Sequence, residues 1–348
     1  MTLEVRTEVL RLALREPFVI ARSEHGSGDV ATTVIFEVRD SRFPGIVAWG
    51  EGYPDRFYGE TVDTIPAILP HLIDAIGEFE ATPEGLAAAS LRLAASIRWN
   101  GAAKCGLDTA LHDLVGKVTG RPVHDLLGLS ATIPPTDFTI GIDTPEVVAE
   151  RARRAGAFPA LKIKVGGPAD LDTLRAVRAV YAGTLRVDAN TGWTPEIAAG
   201  LVESLVDLGV ELVEQPFPAT RLDWLAGLQA VSPLPIVADE SCVVDEDLDA
   251  LVGIVQGVNV KLAKCGGVGP AARMLRRARA RGFRTFLGCM EETSVGIAAS
   301  AAVASLADWV DLDGNLLLGD DPFSGLVLGA DHAWILTDEP GLGVQRGS

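Results

Sequence analysis

From residue 138 onward the chain repeats one pattern: a short apolar run ends in a charged or polar residue, and a helical stretch follows. Phe138–Ile142 (FTIGI) opens the series. Further runs carry Lys164, Asp188, Glu214, Asp239, Lys261, Cys289 and Asp313 at or near their ends, at intervals of 24, 26, 25, 22, 28 and 24 residues. One strand, one helix and two loops fill such an interval. Continuous apolar strands alternating with helices form a parallel sheet, and eight of them most simply close into a (β/α)-barrel of the TIM type. An open doubly wound sheet is the alternative, but its glycine-rich phosphate turn after the first strand is missing.

The first part of the chain reads differently. Leu3–Leu14 and Thr32–Val38 alternate as half-buried strands do, and Arg22–Asp29 (RSEHGSGD) between them reads as a loop. Ile46–Trp49 predicts a short strand and Gly50–Gly59 a loop. From Thr61 to about Gly128 the period is helical, with Leu107, Leu111 and Leu114 on one face of a helix. The expected organisation is an α+β capping domain over residues 1–125, completed by 321–348, and a catalytic barrel over 126–320.

Composition narrows the function. With 30 Lys+Arg against 47 Asp+Glu the net charge is −17, which repels phosphate backbones and argues against nucleic acid. No apolar run reaches the roughly 18–20 residues of a membrane span. The start lacks a basic-then-apolar leader, and four cysteines with no CxxC pair make no disulfide scaffold, so a cytoplasmic protein is expected. A homo-oligomer is compatible with these features.

The chemistry concentrates at the strand ends, where a barrel carries its active site. Asp188, Glu214 and Asp239 come from three successive strands and converge on one sector of the mouth. Clustered carboxylates repel unless a cation joins them, and Mg²⁺ is the usual hard divalent choice. Each could instead cap a helix or pair with a lysine. Lys164 and Lys261 lie half a turn apart around an eight-strand ring, facing each other across the mouth. Two opposed bases suit removal of a proton from one face of a carbon and delivery to the other. Ion pairing with the acidic trio is the alternative. Burial near a cation is expected to lower a lysine pKa. No GxSxG, HExxH or GKS/T motif offers a competing scheme. Gly266, Gly267 and Gly269 read as a tight strand-to-helix turn.

With KIK at 162–164, DAN at 188–190, EQP at 214–216, ADES at 238–241 and KLAKCGG at 261–267, in this order, the chain resembles the enolase superfamily. The likeness covers nearly its whole length and points to the muconate-lactonizing-type subgroup and, within it, to dipeptide epimerases. The resemblance implies that Asp188, Glu214 and Asp239 hold Mg²⁺, which binds a substrate carboxylate, and that Lys164 and Lys261 are the acid/base pair. It further implies that Lys162 sits beside that carboxylate and that Glu292 meets the developing charge of a metal-stabilised enediolate. Lys264 is expected to be a loop contact.

Asp311 and Asp313, in DLDG, share one side of the last strand because side chains alternate, and that strand faces the metal sector. A dipeptide bridges the two, with its carboxylate on the metal and its α-ammonium on the aspartates, as the similar DxD of dipeptide epimerases does. A helix cap beside a surface aspartate is the plain alternative. Asn315 stands where proline is expected after DxDG. Side-chain preference should come from the loops at 22–29 and 50–59, where Arg22 could pair with an acidic side chain such as that of Ala-Glu. The expected function is Mg²⁺-dependent, two-base 1,1-proton transfer that epimerises a dipeptide at its C-terminal Cα. Rivals are o-succinylbenzoate synthase, N-acylamino acid racemase, a cycloisomerase, or a non-catalytic small-molecule binding protein.

Overall fold

The computed structural model describes residues 3–23 and 28–347. The parallel barrel is present as the strand-end rhythm predicts. Its strands are β4 (Phe138–Ile140), β5 (Ala160–Lys164), β6 (Thr184–Asp188), β7 (Val210–Glu214), β8 (Ile236–Ala238), β9 (Gly257–Lys261), β10 (Arg284–Gly288) and β11 (Trp309–Asp311), hydrogen-bonded in sequence order. The seam between β4 and β11 is closed by Asp137 N donating to Val310 O at 3.1 Å and Leu312 N donating to Thr136 Oγ1 at 2.8 Å. Parallel register sets Lys164, Asp188 and Glu214 abreast, and likewise Lys261, Gly288 and Asp311. Beneath that layer Leu212, Val237, Phe286 and Trp309 pack together inside the barrel. Arg186 stacks over Phe286 in this layer and pairs with Asp137 at 2.9 Å, so the barrel is filled by side chains below, with the acidic trio and its lysines at the carboxyl end.

The capping domain begins with an antiparallel sheet of β1 (Leu3–Ala13), β2 (Val30–Asp40) and β3 (Ala48–Gly52). Four helices follow: α1 (Thr64–Ile76), α2 (Pro83–Ser96), α3 (Gly101–Thr119) and the short α4 (Val123–Leu126). The strand expected at 46–49 begins and ends later, because β2 draws Gly50–Gly52 into the sheet through pairs such as Phe36 with Gly50 and Val34 with Gly52. Helix α3 also departs from a one-faced reading: Ala102 through Gly116 are all buried. Small residues permit this. A Cβ on Gly50 would stand 2.0 Å from Gly106 O, and one on Gly106 would overlap the Phe36 ring.

The outer helices of the barrel include α5 (Pro145–Arg154), α6 (Asp170–Arg178), α7 (Pro195–Asp207), α8 (Leu222–Val231), α9 (Asp247–Leu251), α10 (Leu262–Cys265), α11 (Val268–Ala280) and α12 (Ser294–Ala301). Two carboxylates of the cap cover helix starts of the barrel. Glu51, at the end of β3, accepts from Thr293 N at 3.0 Å and Gly296 N at 2.9 Å, at the start of α12. Asp108 of α3 accepts from Gly269 N at 3.0 Å, at the start of α11. The glycines at 266 and 267 form the expected turn, with φ of 101° and 118°, and Gly267 lies where a Cβ would strike Asp108. Among the described residues no helix is long and apolar enough to cross a membrane.

Gly50→Ala must lift α3 from the sheet and is expected to destabilise the protein by about 1–3 kcal/mol. Gly200→Ala, inside α7 with open space around it, is expected to stabilise by about 0.5–1 kcal/mol. Chemical denaturation of both variants checks the pair.

Candidate active site

Beneath the capping loops a cavity of about 610 Å³ opens over the carboxyl ends of the strands. Lys162, Lys164, Lys261, Asp311 and Asp313 line its inner wall, while Arg22, Tyr53, Asp55 and Phe57 line it from the cap. Below the wall, Asp188, Glu214 and Asp239 are each fully buried, with one oxygen from each lying within 4.8 Å of the others.

Lysines surround this trio. Lys164 Nζ is 2.6 Å from Asp188, and Lys261 Nζ is 2.9 Å from Asp239. Lys162 Nζ stands 3.4 Å from Glu214 and pairs closely with Asp311. Burial opposes ionisation of Asp239, yet Lys261 and Lys264 together hold its carboxyl far below the usual range. Glu214 behaves oppositely: burial, and then the charge of Asp188, push it up to about 7 against the pull of Lys162. The trio is thus only partly compensated by its lysines, and its donors are hard oxygens. Those properties fit a divalent cation such as Mg²⁺, with Asp188, Glu214 and Asp239 as the residues that would hold it.

The two facing lysines sit on β5 and β9, four strands apart in the ring, and both reach the cavity. Gly288, beside Lys261, keeps that space open; a Cβ there would come within 3.0 Å of Lys261 Cε. Among the protein's own groups, Lys261 is held above its usual range. Burial does act downward, but Asp239 and Glu214 outweigh it and raise the group. The lowering depends on a cation taking up the charge of those carboxylates.

Asp311 ends β11 and Asp313 lies just beyond it, at the start of the turn at 314–317, so strand alternation does not reach Asp313; Thr139 of β4 holds both. Its Oγ1 donates to Asp311 at 2.9 Å and its N–H to Asp313. Burial works against ionised Asp311, but Lys162 outweighs it and lowers the pKa; Asp313 is pushed up to about 7 by burial and by Asp311. Glu292 lies beneath the cavity wall, 1 % exposed, and its neighbour Glu291 is the one that lines the space. Burial, then Glu51, raise Glu292 to about 8. Arg22 reaches the cavity, but its guanidinium already lies 3.3 Å from both Asp55 and Glu240. The loop expected at 22–29 falls partly outside the described residues, His25 included.

Lys264 corrects the sequence reading most clearly. It is no loop contact: α10 follows β9 without a break and turns the side chain inward. It is 2 % exposed, bonds the Asp239 carboxylate, and donates to the carbonyls of Asp239, Cys242 and Asn259 at 2.8–2.9 Å. The three-residue spacing from Lys261 was the available signal. Asn259 bonding Glu214, Thr139, and Gln215, whose Oε1 accepts from Asp239 N at 2.9 Å, carried no signal in the sequence. Asn190 and Gln215 follow Asp188 and Glu214 with φ of 38° and 34°, so strained backbone turns the chain directly behind two of the trio.

Comparison with known proteins agrees with this arrangement. Residues 146–346 match the enolase C-terminal domain-like family, and residues 2–128 match the mandelate racemase / muconate lactonizing enzyme N-terminal domain. An L-Ala-D/L-Glu epimerase of Bacteroides thetaiotaomicron is 37 % identical over 339 residues, covering 96 % of this chain and 86 % of the relative. A dipeptide epimerase of Enterococcus faecalis, solved with Mg and L-Leu-L-Tyr, superposes with a TM-score of 0.90 at 32 % identity, over 99 % of this chain and all of that one. The substrate-liganded L-Ala-D/L-Glu epimerase of Bacillus subtilis also gives 0.90, at 29 % identity and 98 % coverage of both chains. With both domains matched, their junction occupied by opposed lysines, and a buried acidic trio below, the chain belongs to the enolase superfamily, in its mandelate racemase / muconate lactonizing enzyme branch.

Proposed function

We propose that this protein is a Mg²⁺-dependent dipeptide epimerase that inverts the Cα of the C-terminal residue. The observation that carries the reading is the placement of Lys164 and Lys261 on opposite strands of one cavity, between the acidic trio and the Asp311/Asp313 pair. In this reading residues 126–320 form the catalytic barrel, and residues 1–125 with 321–348 form the cap. Four free cysteines support a reducing, cytoplasmic setting. Assembly as a homo-oligomer belongs to the same reading, supported by exposed apolar side chains such as Val206 and Val231 on the outer helices, and light scattering checks it.

The substrate's carboxylate lies toward Asp188, Glu214 and Asp239, and its α-ammonium toward Asp311 and Asp313. Those anchors leave the C-terminal Cα between the two lysines. Mg²⁺ held by the trio supplies positive charge at the carboxylate, where negative charge builds as the proton leaves. One lysine, as the neutral amine, takes the Cα proton, so that a C–H bond breaks and an N–H bond forms. The other, as the ammonium, delivers its proton to the opposite face. Configuration inverts, and the lysines exchange roles in the reverse direction. Lys162, buried beside Glu214, adds a fixed ammonium near the carboxylate, and Tyr53 and Phe57 of the cap loops line the same cavity. Substrates of the rival reactions lack an α-ammonium and bring no positive charge to the two buried aspartates.

Incubation of the Mg²⁺-loaded protein with a panel of L,L-dipeptides in D₂O is expected to place deuterium at the C-terminal Cα and to give a diastereomer mixture. Absence of exchange with every dipeptide, read by NMR, would falsify the proposal. Lys164→Ala and Lys261→Ala should each lower epimerisation by about 10²–10⁴-fold, with one variant still exchanging the proton of a single diastereomer. Full turnover in either variant removes the two-base assignment. Exhaustive EDTA treatment should abolish turnover and added Mg²⁺ restore it; activity that survives chelation contradicts the role given to the trio.

A further inference from the structure

Arg22 sits over the metal sector of the mouth, and among the described residues two carboxylates already face its guanidinium. Its Nε lies 3.3 Å from Glu240 Oε1, and its Nη1 lies 3.3 Å from Asp55 Oδ2. The same guanidinium stacks over the Phe57 ring, 4.7 Å from its centre. Neither carboxylate is loosely placed. Glu240 is 3 % exposed and also accepts from Asn190 Nδ2 at 3.2 Å. Asp55 uses its other oxygen, Oδ1, to accept from Phe57 N at 2.8 Å, capping the turn at 56–58. It therefore cannot swing aside without releasing that turn.

Resting on the epimerase reading, the substrate's geometry then matters. On its cap side the cavity is walled by Arg22, Asp55 and Phe57, so a C-terminal side chain that extends toward the cap meets this cluster. We propose that Asp55 is a specificity-determining residue that makes this pocket reject an acidic C-terminal side chain and favour a neutral one of the same shape. An incoming carboxylate would be a third anion at one guanidinium, and it would have to displace a residue tied to the backbone of its own turn. Like charges brought together in a partly buried site cost far more than they do in water. Phe57 and Ile20 on the cavity wall add apolar surface that suits an uncharged chain. Arg22 is thereby a support for the cap loop rather than a free receptor for the substrate's acid.

The test compares kcat/KM for L-Ala-L-Gln and L-Ala-L-Glu, which differ only in charge, using deuterium exchange at the C-terminal Cα. The wild type is expected to favour Gln by about tenfold or more. Asp55→Asn keeps the cap on Phe57 and removes the charge, and it should shrink that ratio at least fivefold by lowering KM for the Glu dipeptide. Asp55→Ser, which also caps a turn, should move the ratio the same way, guarding against a fold defect particular to Asn. A wild type that favours Glu, or a ratio unchanged in both variants, overturns the assignment. No exchange with either dipeptide or with the wider panel overturns the epimerase reading itself, and this inference with it; exchange with others alone defeats only the claim about Asp55.

Discussion

Everything at the mouth of this barrel depends on a dense set of ions removed from water. Taking a carboxylate or an ammonium out of solvent costs several kcal/mol, and only close opposite charge with well-aimed hydrogen bonds offsets it. The structure meets that demand through shared partners: Lys164 with Asp188, Lys261 and Lys264 on the two oxygens of Asp239, and Lys162 between Glu214 and Asp311. Loss of one member would leave its partner buried and unmatched. The parallel register of the strands makes this arrangement possible, since it sets the charged ends level with one another above a filled interior.

Much of this was legible in the sequence because of strand periodicity. A charged residue that ends an apolar strand has no use in a core, so Lys164, Asp188, Glu214, Asp239 and Lys261 announced themselves one strand at a time, and the regular interval implied a closed ring. The DLDG run likewise points to Asp311 and Asp313 together, although the strand stops at Asp311 and Thr139 is what holds both. Residues that act through others were not legible. Thr139, Asn259 and Gln215 are ordinary polar side chains whose partners lie 24 to 174 positions away. Lys264 was misjudged because a helical turn starting inside the strand's last residue looks like a loop from composition alone. The ends of β3 are hidden for a different reason: glycine has low strand propensity, and only close approach of α3 explains why two of its five residues are Gly50 and Gly52.

The charge state of the site also shows how fold and chemistry are linked. The same carboxylates that raise Lys261 are those suited to a cation, so the proton affinity of this lysine is tied to occupancy of the trio. At the far end, Asp313 and Glu292 are pushed up to about 7 and about 8 by burial and by neighbouring acids, Asp311 and Glu51 respectively. The cavity is therefore bounded by groups whose ionisation is set by neighbours rather than by solvent, and a bound zwitterion alters several of them together.

Glu51 and Asp108 belong to the cap, yet the backbone amides they satisfy open helices of the barrel. Detached from the cap, the barrel would present two helix starts with orphaned donors, one of them directly behind the loop carrying Glu291 and Glu292. The two parts are thus tied by shared backbone partners despite their separate architectures. Replacing either of the acidic rivets that fasten lid to drum would therefore strip amide partners from a barrel helix as well as loosen the cap.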